Sequence, residues 1–232
     1  MIEEHNLETY LSISPKKYGI YLVDKKNLKK IYQSEIIIDD KLINYESFYR
    51  FLDDNIFKIE KFIGKFLKNI FIIIENQEIF NMRVGIKKKN YDEIINIKYL
   101  KNTLSEAKDL FKQNYQDQNL MHMIVSNYLI NGKDYAYFNS DLKTNDFCIV
   151  INFISIPNKL SYKLDKILQK YHIKINKYLN ETYIRNFFMD QEIEFPVMIC
   201  KILNGSNENE VKLVPKNQEN KGFFEKFFQL FS

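Results

Sequence analysis

The 232-residue sequence predicts an α+β fold, with mostly antiparallel sheets, helices packed on one face and an amphipathic helix at the C-terminus. Three observations predict it. Short β-rich runs separated by turn residues fill the first 38 positions, and three longer segments repeat apolar residues every three or four positions. The last eleven residues, 222–232, carry five phenylalanines.

Leu7 to Ser12, Tyr18 to Val23 and Ile31 to Ile38 read as the strands of a meander. The turns between them are Ser14-Pro15-Lys16-Lys17 and Asp24-Lys25-Lys26-Asn27. From Tyr45 to Leu67 the apolar positions Phe48, Leu52, Ile56, Ile59, Ile63 and Phe66 step by three and four, and Asn44 can cap the helix. Ile70 to Ile74 is an unbroken apolar run, the mark of a central strand covered on both faces, and Ile79 to Ile86 is expected to return as its partner. A second helix spans Ile97 to Phe111, with Ile97, Leu100, Leu104, Ala107 and Phe111 on one stripe. Met121, Met123 and Val125 alternate with His122, Ile124 and Ser126 as in a strand, and another strand runs from Phe147 to Ile156. Pro157-Asn158 opens a third helix carrying Leu160, Leu164, Ile167 and Tyr171, after which Ile173 and Ile175 begin one more strand. Phe195 to Leu203 and Val211 to Val214 read as short strands, and residues 204–209 and 216–222 have the composition of a polar tether. Four units follow: meander and long helix (1–68), an α+β unit (69–190), short strands and tether (191–221), and the terminal helix (222–232).

With 45% hydrophobic residues, 15% aromatics, 6 Gly and 4 Pro, the composition excludes collagen-like and wholly disordered chains. A net charge of +4, from 34 basic and 30 acidic residues, is too balanced to indicate a nucleic-acid partner. Arginine occurs only at Arg50, Arg83 and Arg185, while Lys, Asn, Ile, Phe and Tyr, all with A/T-rich codons, crowd the chain. Lysine runs such as Lys87-Lys88-Lys89 therefore reflect composition before function. Cys148 and Cys200 lie far apart without paired-cysteine spacing, which fits a reducing, cytoplasmic compartment. Glu3 and Glu4 stand where a secretion signal would be basic, and the longest apolar run is far short of the roughly 20 residues that span a bilayer. Membrane contact would be peripheral.

His5, His122 and His172 are isolated from one another and from the cysteines, so no metal site is expected. Neither familiar glycine-rich phosphate loop is present. Ser14 and Lys17 match Ser-x-x-Lys, but the companion motifs of serine acyl-enzymes are missing. His122 reads as a sheet histidine with a hydrogen-bond partner, and Asp53-Asp54 as a solvated pair on the polar side of the first helix. The chain is expected to be non-enzymatic, with no cofactor and no metal.

On a helical wheel Phe223, Phe224, Phe227, Phe228, Leu230 and Phe231 fill an arc of roughly 160°, with Glu225 and Gln229 opposite. Lys221 and Lys226 border the arc, where their stems can lie along apolar matter and their ammonium groups can reach lipid phosphates. These eight basic and apolar residues are the expected membrane-binding site; docking into a protein groove is the alternative. Half-burying six such side chains is worth about 5 to 9 kcal/mol. Ordering eleven residues costs a similar amount, at about 1 kcal/mol each. One copy binds marginally, and stable attachment calls for several copies acting together.

The element order and several residues resemble the bacterial cell-division protein FtsA, an actin-like ATPase homologue that tethers the division ring to the inner membrane. Leu7 to Asp39 with the following helix is similar to that family's opening strands and first long helix. His122-Met123-Ile124-Val125-Ser126-Asn127-Tyr128-Leu129-Ile130-Asn131-Gly132 resembles its His-x-Ile-Pro-x-x-Phe/Tyr followed by Asp-Gly, with Val125 for proline and Asn131 for aspartate. Phe147 to Leu179, including Tyr171-His172-Ile173-Lys174-Ile175, is similar to the close of its inserted interaction subdomain, and the Phe-rich end to its membrane-targeting helix. The resemblance implies a partial actin-like architecture, in which 1–68 is part of an actin-like subdomain and 69–190 the interaction subdomain. It also implies a location on the cytoplasmic face of the inner membrane, with the lipid surface, the protein itself and other division proteins as partners. Where the family has Asp-x-Gly-Thr/Ser-Ser/Thr-Lys, this chain reads Ser12-Ile13-Ser14-Pro15-Lys16-Lys17, lacking the acid and the glycine and gaining a proline without an N–H. No nucleotide is expected. Pilus-assembly adaptors share the actin-like plan but lack a comparable Phe-rich end. A nucleic-acid module built on Lys87, Lys88, Lys89 and Tyr91 is the rival of a different class, and a small enzyme with scattered residues a third.

Overall fold

Strands β1 (Leu7–Ile13), β2 (Lys17–Asp24) and β3 (Lys29–Ile37) form the meander, and helix α1 (Tyr45–Ile63) follows. Then come β4 (Asn69–Ile74), β5 (Phe80–Ile94), α2 (Ile97–Asn114), β6 (Gln118–Ile130), β7 (Lys133–Tyr135), β8 (Lys143–Pro157), α3 (Asn158–Gln169), β9 (Lys174–Asn180), α4 (Glu181–Phe187) and α5 (Phe195–Leu203). The computed structural model describes residues 6–38, 40, 42–94, 96–138 and 143–213. Among them no helix is long and apolar enough to cross a membrane.

Two sheets result. The first has the order β3-β2-β1-β4-β9, with β1, β2 and β3 antiparallel and β1, β4 and β9 parallel. The second, β5-β8-β6-β7, is antiparallel throughout. The α+β class with mostly antiparallel sheets is as the sequence predicts. The pairing of Ile79 to Ile86 is not: β5 leaves β4 and joins β8 across the second sheet, with Val84 opposite Ile151. β4 is instead gripped between β1 and β9, so Ile70, Ile72, Ile73 and Ile74 are all fully buried, as a strand covered on both faces requires.

Alternation along the first sheet feeds two cores. Leu11, Ile13, Ile70, Ile72 and Ile74 face α1 and α3, where Phe48, Leu52, Ile56 and Ile59 meet Leu160, Leu164 and Ile167. Tyr10, Tyr21, Val23, Ile73 and Leu179 face the other way, onto Ile184 of α4 and Ile199 and Ile202 of α5. A third core lies between one face of the second sheet and α2, built on Phe111, Phe147, Ile149, Ile151 and Phe153.

Helix ends follow local chemistry. Asn44 caps α1 by accepting from the Ser47 N–H at 3.1 Å, and Gly64, at φ 72°, ends it in the left-handed region. Asn96 and Asn180 cap α2 and α4 in the same way. The expected strand Phe195 to Leu203 is the helix α5. Pro196 sits at its first turn, where a missing N–H costs nothing, and Ile199, Cys200 and Ile202 are buried at helical spacing. Of the expected strand Val211 to Val214, residues 211–213 belong to no strand beside an isolated bridge between Ile124 and Glu210, and Val214 lies outside the described residues.

Candidate functional site

The expected membrane-binding residues, Lys221, Phe223, Phe224, Lys226, Phe227, Phe228, Leu230 and Phe231, all lie outside the described residues, as does most of the tether. Their root is defined. Past α5 the chain returns to β6, where the Val125 N–H donates to Asn209 O at 2.9 Å and the Val211 N–H to Met123 O at 2.8 Å. Asn209 Nδ2 donates to Ala136 O at 2.9 Å, and Val211 and Leu213 pack against the third core. The segment leading to the tether is thus sewn to the second sheet.

Between these stitches Glu210 turns inward to the seam between the two sheets. It meets His122, which is fully buried, and both ring nitrogens of that histidine are engaged. Nε2 accepts from the Asn180 N–H at 2.9 Å, which leaves the proton on Nδ1, and Nδ1 donates to Glu210 Oε1 at 2.8 Å. Tyr183 donates its hydroxyl to Glu210 Oε2 at 2.9 Å and stacks obliquely on the imidazole, 4.5 Å between ring centres. Lys177 Nζ approaches the same carboxylate at 3.4 Å, and Asn207 Nδ2 donates to the Tyr183 hydroxyl at 2.8 Å. Burial pushes the His122 pKa down, against the pull of Glu210. Burial alone would raise Glu210, but the hydrogen bond and charge of His122, with Lys177 and Tyr183, hold it below the usual carboxylate range. One side chain each from β6, β9 and α4 therefore meets at a single carboxylate carried by the tether root. Its chemistry is positional: no ring nitrogen is left to take a substrate proton. His122 does have the hydrogen-bond partner the sequence suggests, but Glu210, Asn180 and Tyr183 gave no local signal, lying 88, 58 and 61 positions away in the chain.

The β1–β2 turn holds the other expected chemistry. Ser14 donates its N–H to Lys17 O at 3.0 Å and its hydroxyl to the same oxygen at 3.1 Å, while the Lys17 N–H donates back to Ser14 Oγ at 3.0 Å. Lys17 Nζ pairs with Glu35 at 3.2 Å, so the Ser-x-x-Lys side chains are not brought together. Just below, Ser12 Oγ donates to the buried Glu181 at 2.8 Å, and Arg185 Nε donates to the other carboxylate oxygen at 2.7 Å while stacking 4.0 Å from the centre of the Phe195 ring. A phosphate cradle needs free N–H groups aimed at one point. Here the Ser14 and Lys17 N–H groups close on the loop itself, Pro15 has none, and a carboxylate sits beneath.

At the opposite end of the first sheet a cleft of about 340 Å³ is lined by Leu7, Glu8, Lys25, Phe66, Lys68 and Asn176, among others. Among the described residues no three His, Cys, Asp or Glu side chains are grouped to hold a metal ion. Asp53 is not wholly solvated, since it accepts from the Tyr171 hydroxyl at 2.7 Å.

No family model and no curated protein matches the sequence. Among solved structures, the chain is similar to the cytoplasmic domain of EpsL, an inner-membrane component of the type II secretion system of Vibrio cholerae, with 11% identity, a TM-score of 0.35 and coverage of 77% of this chain and 56% of that one. It is similar to a Bacteroides thetaiotaomicron protein with an actin-like ATPase fold and unknown function, with 15% identity, TM-score 0.34 and coverage of 83% and 61%. It is also similar to a chain of the PilM–PilN type IV pilus biogenesis complex, with 8% identity, TM-score 0.48 and coverage of 78% and 49%. The chain spans about half to three-fifths of the length of these structures.

Proposed function

We propose that this chain is a non-enzymatic, actin-like adaptor of the FtsA-like kind. In this reading residues 222–232 hold it on the cytoplasmic face of the inner membrane, and its α+β body joins it to further copies or to other division proteins. The observation that carries the reading is the root of the tether: Glu210 is built into the seam between the two sheets, so a pull on the tail acts on the whole body and not on a frayed end. An adaptor held by a tether needs the tether fixed in the body at its root. The self-closed β1–β2 turn over Glu181 supports a nucleotide-free protein.

Against the nucleic-acid reading, Lys88 points to the face of β5 opposite Lys87 and Lys89 and pairs with Glu106 at 2.6 Å, and Lys87 pairs with Asp146 at 3.3 Å, so the lysine run is split and partly neutralised. The pilus-type adaptor keeps the same body and differs in its system, so cellular location separates the two. A fluorescent fusion of the full chain in its native cell is expected to form a membrane band at the division plane. A polar focus would favour the pilus-type adaptor, and a uniform cytoplasmic signal would refute membrane attachment.

A further inference from the structure

The C-terminal end of α1 carries an exposed surface that the terminal anchor does not account for. Phe57, Phe62 and Phe66 are 70%, 57% and 80% exposed; among the described residues no other stretch of ten positions holds three exposed phenylalanines. The buried stripe of this helix, Leu52, Ile56 and Ile59, fixes which way the rest must point. At 100° per residue Phe57, Lys61, Lys58 and Phe62 then spread over roughly 140° of the outer face, phenylalanines at the borders and lysines between. Gly64 ends the helix in the left-handed region, and beyond it Lys65, Phe66 and Lys68 continue the same alternation of basic and aromatic exposed positions around buried Leu67.

The charge of this surface is mainly basic. Residues 54–69 hold Lys58, Lys61, Lys65 and Lys68 against Asp54, at the upper edge of the face, and Glu60, whose Oε1 is turned into the chain reversal, where it accepts the Leu67 N–H at 2.9 Å. Phe57 and Phe62 stand on the outside of the helix end, while Lys65, Phe66 and Lys68 border the cleft described above. Exposed aromatic positions interleaved with lysines match the phosphate plane of a bilayer, where rings enter the headgroup region and ammonium groups stay at the anionic level.

We infer that this helix end is a second membrane-contact site, which rests on an anionic lipid surface and sets the orientation of the body there. The inference rests on the reading that the chain works at a membrane. Attachment at two points, tail and α1, gives the cooperation that one marginal terminal helix lacks.

The chain has no tryptophan, so one substitution gives a clean probe. Full-length Phe62→Trp and, separately, Phe228→Trp are titrated with vesicles containing phosphatidylglycerol and with phosphatidylcholine vesicles. The Phe62→Trp emission is expected to move to shorter wavelength with the anionic vesicles only, and to return at high salt. A full-length Phe57→Ser, Phe62→Ser, Phe66→Ser variant, altered only at exposed positions, is expected to keep its circular dichroism and lose about tenfold or more in vesicle partitioning. A shift at Phe228→Trp without one at Phe62→Trp overturns the second site and leaves the tail standing. A shift at Phe62→Trp alone keeps the site and removes the tail as anchor, and no shift at either position removes both. A Phe62→Trp shift that needs no vesicles and grows with protein concentration assigns the surface to protein contact and overturns the inference.

Discussion

Replacing Glu210 by alanine removes the acceptor shared by the groups that join the two sheets, and its cost can be worked from their geometry. The His122 Nδ1–H, fully buried, is left without a partner, a penalty of about 1–3 kcal/mol. The Tyr183 hydroxyl loses its acceptor for about 1 kcal/mol more, and Lys177, a third exposed, adds little. The single change is expected to destabilise the protein by about 3 kcal/mol. His122→Ala leaves the buried Asn180 N–H unpaired and opens a void the size of an imidazole, for about 3–4 kcal/mol. Both substitutions break the same contact, so the double variant should fall about 2 kcal/mol short of the sum. Urea unfolding followed by circular dichroism at pH 7.5 measures all three. Penalties that add to within about 0.5 kcal/mol would show that the junction does not act as a unit. The pH dependence gives a second check. The folded His122 pKa lies below the ordinary value of 6.5, so the unfolded chain takes up a proton that the folded chain refuses. This stability is fully present above pH 6.5 and is lost as pH falls below it, by up to about 1.4 kcal/mol per unit. The depressed Glu210 adds a further loss below 4.5. In His122→Ala the fall that begins at pH 6.5 should be reduced.

Gly19 faces Tyr21, whose hydroxyl would lie 2.6 Å from an added Cβ, and this ring is fully buried and hydrogen-bonded to Glu35. Gly19→Ala should cost about 1–3 kcal/mol in thermal or urea unfolding, and a neutral result would show that the ring can yield. Cys200 is buried and its thiol pKa is pushed up by burial, whereas Cys148 is half-exposed, so a thiol reagent should label Cys148 first; equal rates would contradict the packing of α5. ATP with magnesium should leave the melting temperature unchanged, and a rise that grows with ATP concentration would refute a closed β1–β2 turn.

What was legible in the sequence was what local pattern controls. The meander, α1 with its Asn44 cap, and α2 and α3 announce themselves through period two or period 3.6. Phe195 to Leu203 did not, because nine nearly all-apolar residues with Val197, Ile199 and Ile202 suit a strand and a helix equally; Pro196 was the available signal. The partner of β5 was hidden because strand pairing is a long-range choice, made here across 49 residues (Ile94 with Lys143) to 75 (Phe80 with Ser155). Glu210 directly follows the polar stretch 204–209 that reads as tether, and only a histidine 88 positions away explains its burial. Asp53 likewise looked solvated until Tyr171, 118 positions on, came to its side.

The central claim is that the last eleven residues attach this body to lipid. Flotation with phosphatidylglycerol-containing vesicles, run on the full chain and on a chain ending at Lys221, tests it most directly. The full chain is expected to rise with the vesicles and the shortened chain to remain largely below; equal flotation of the two would contradict the account.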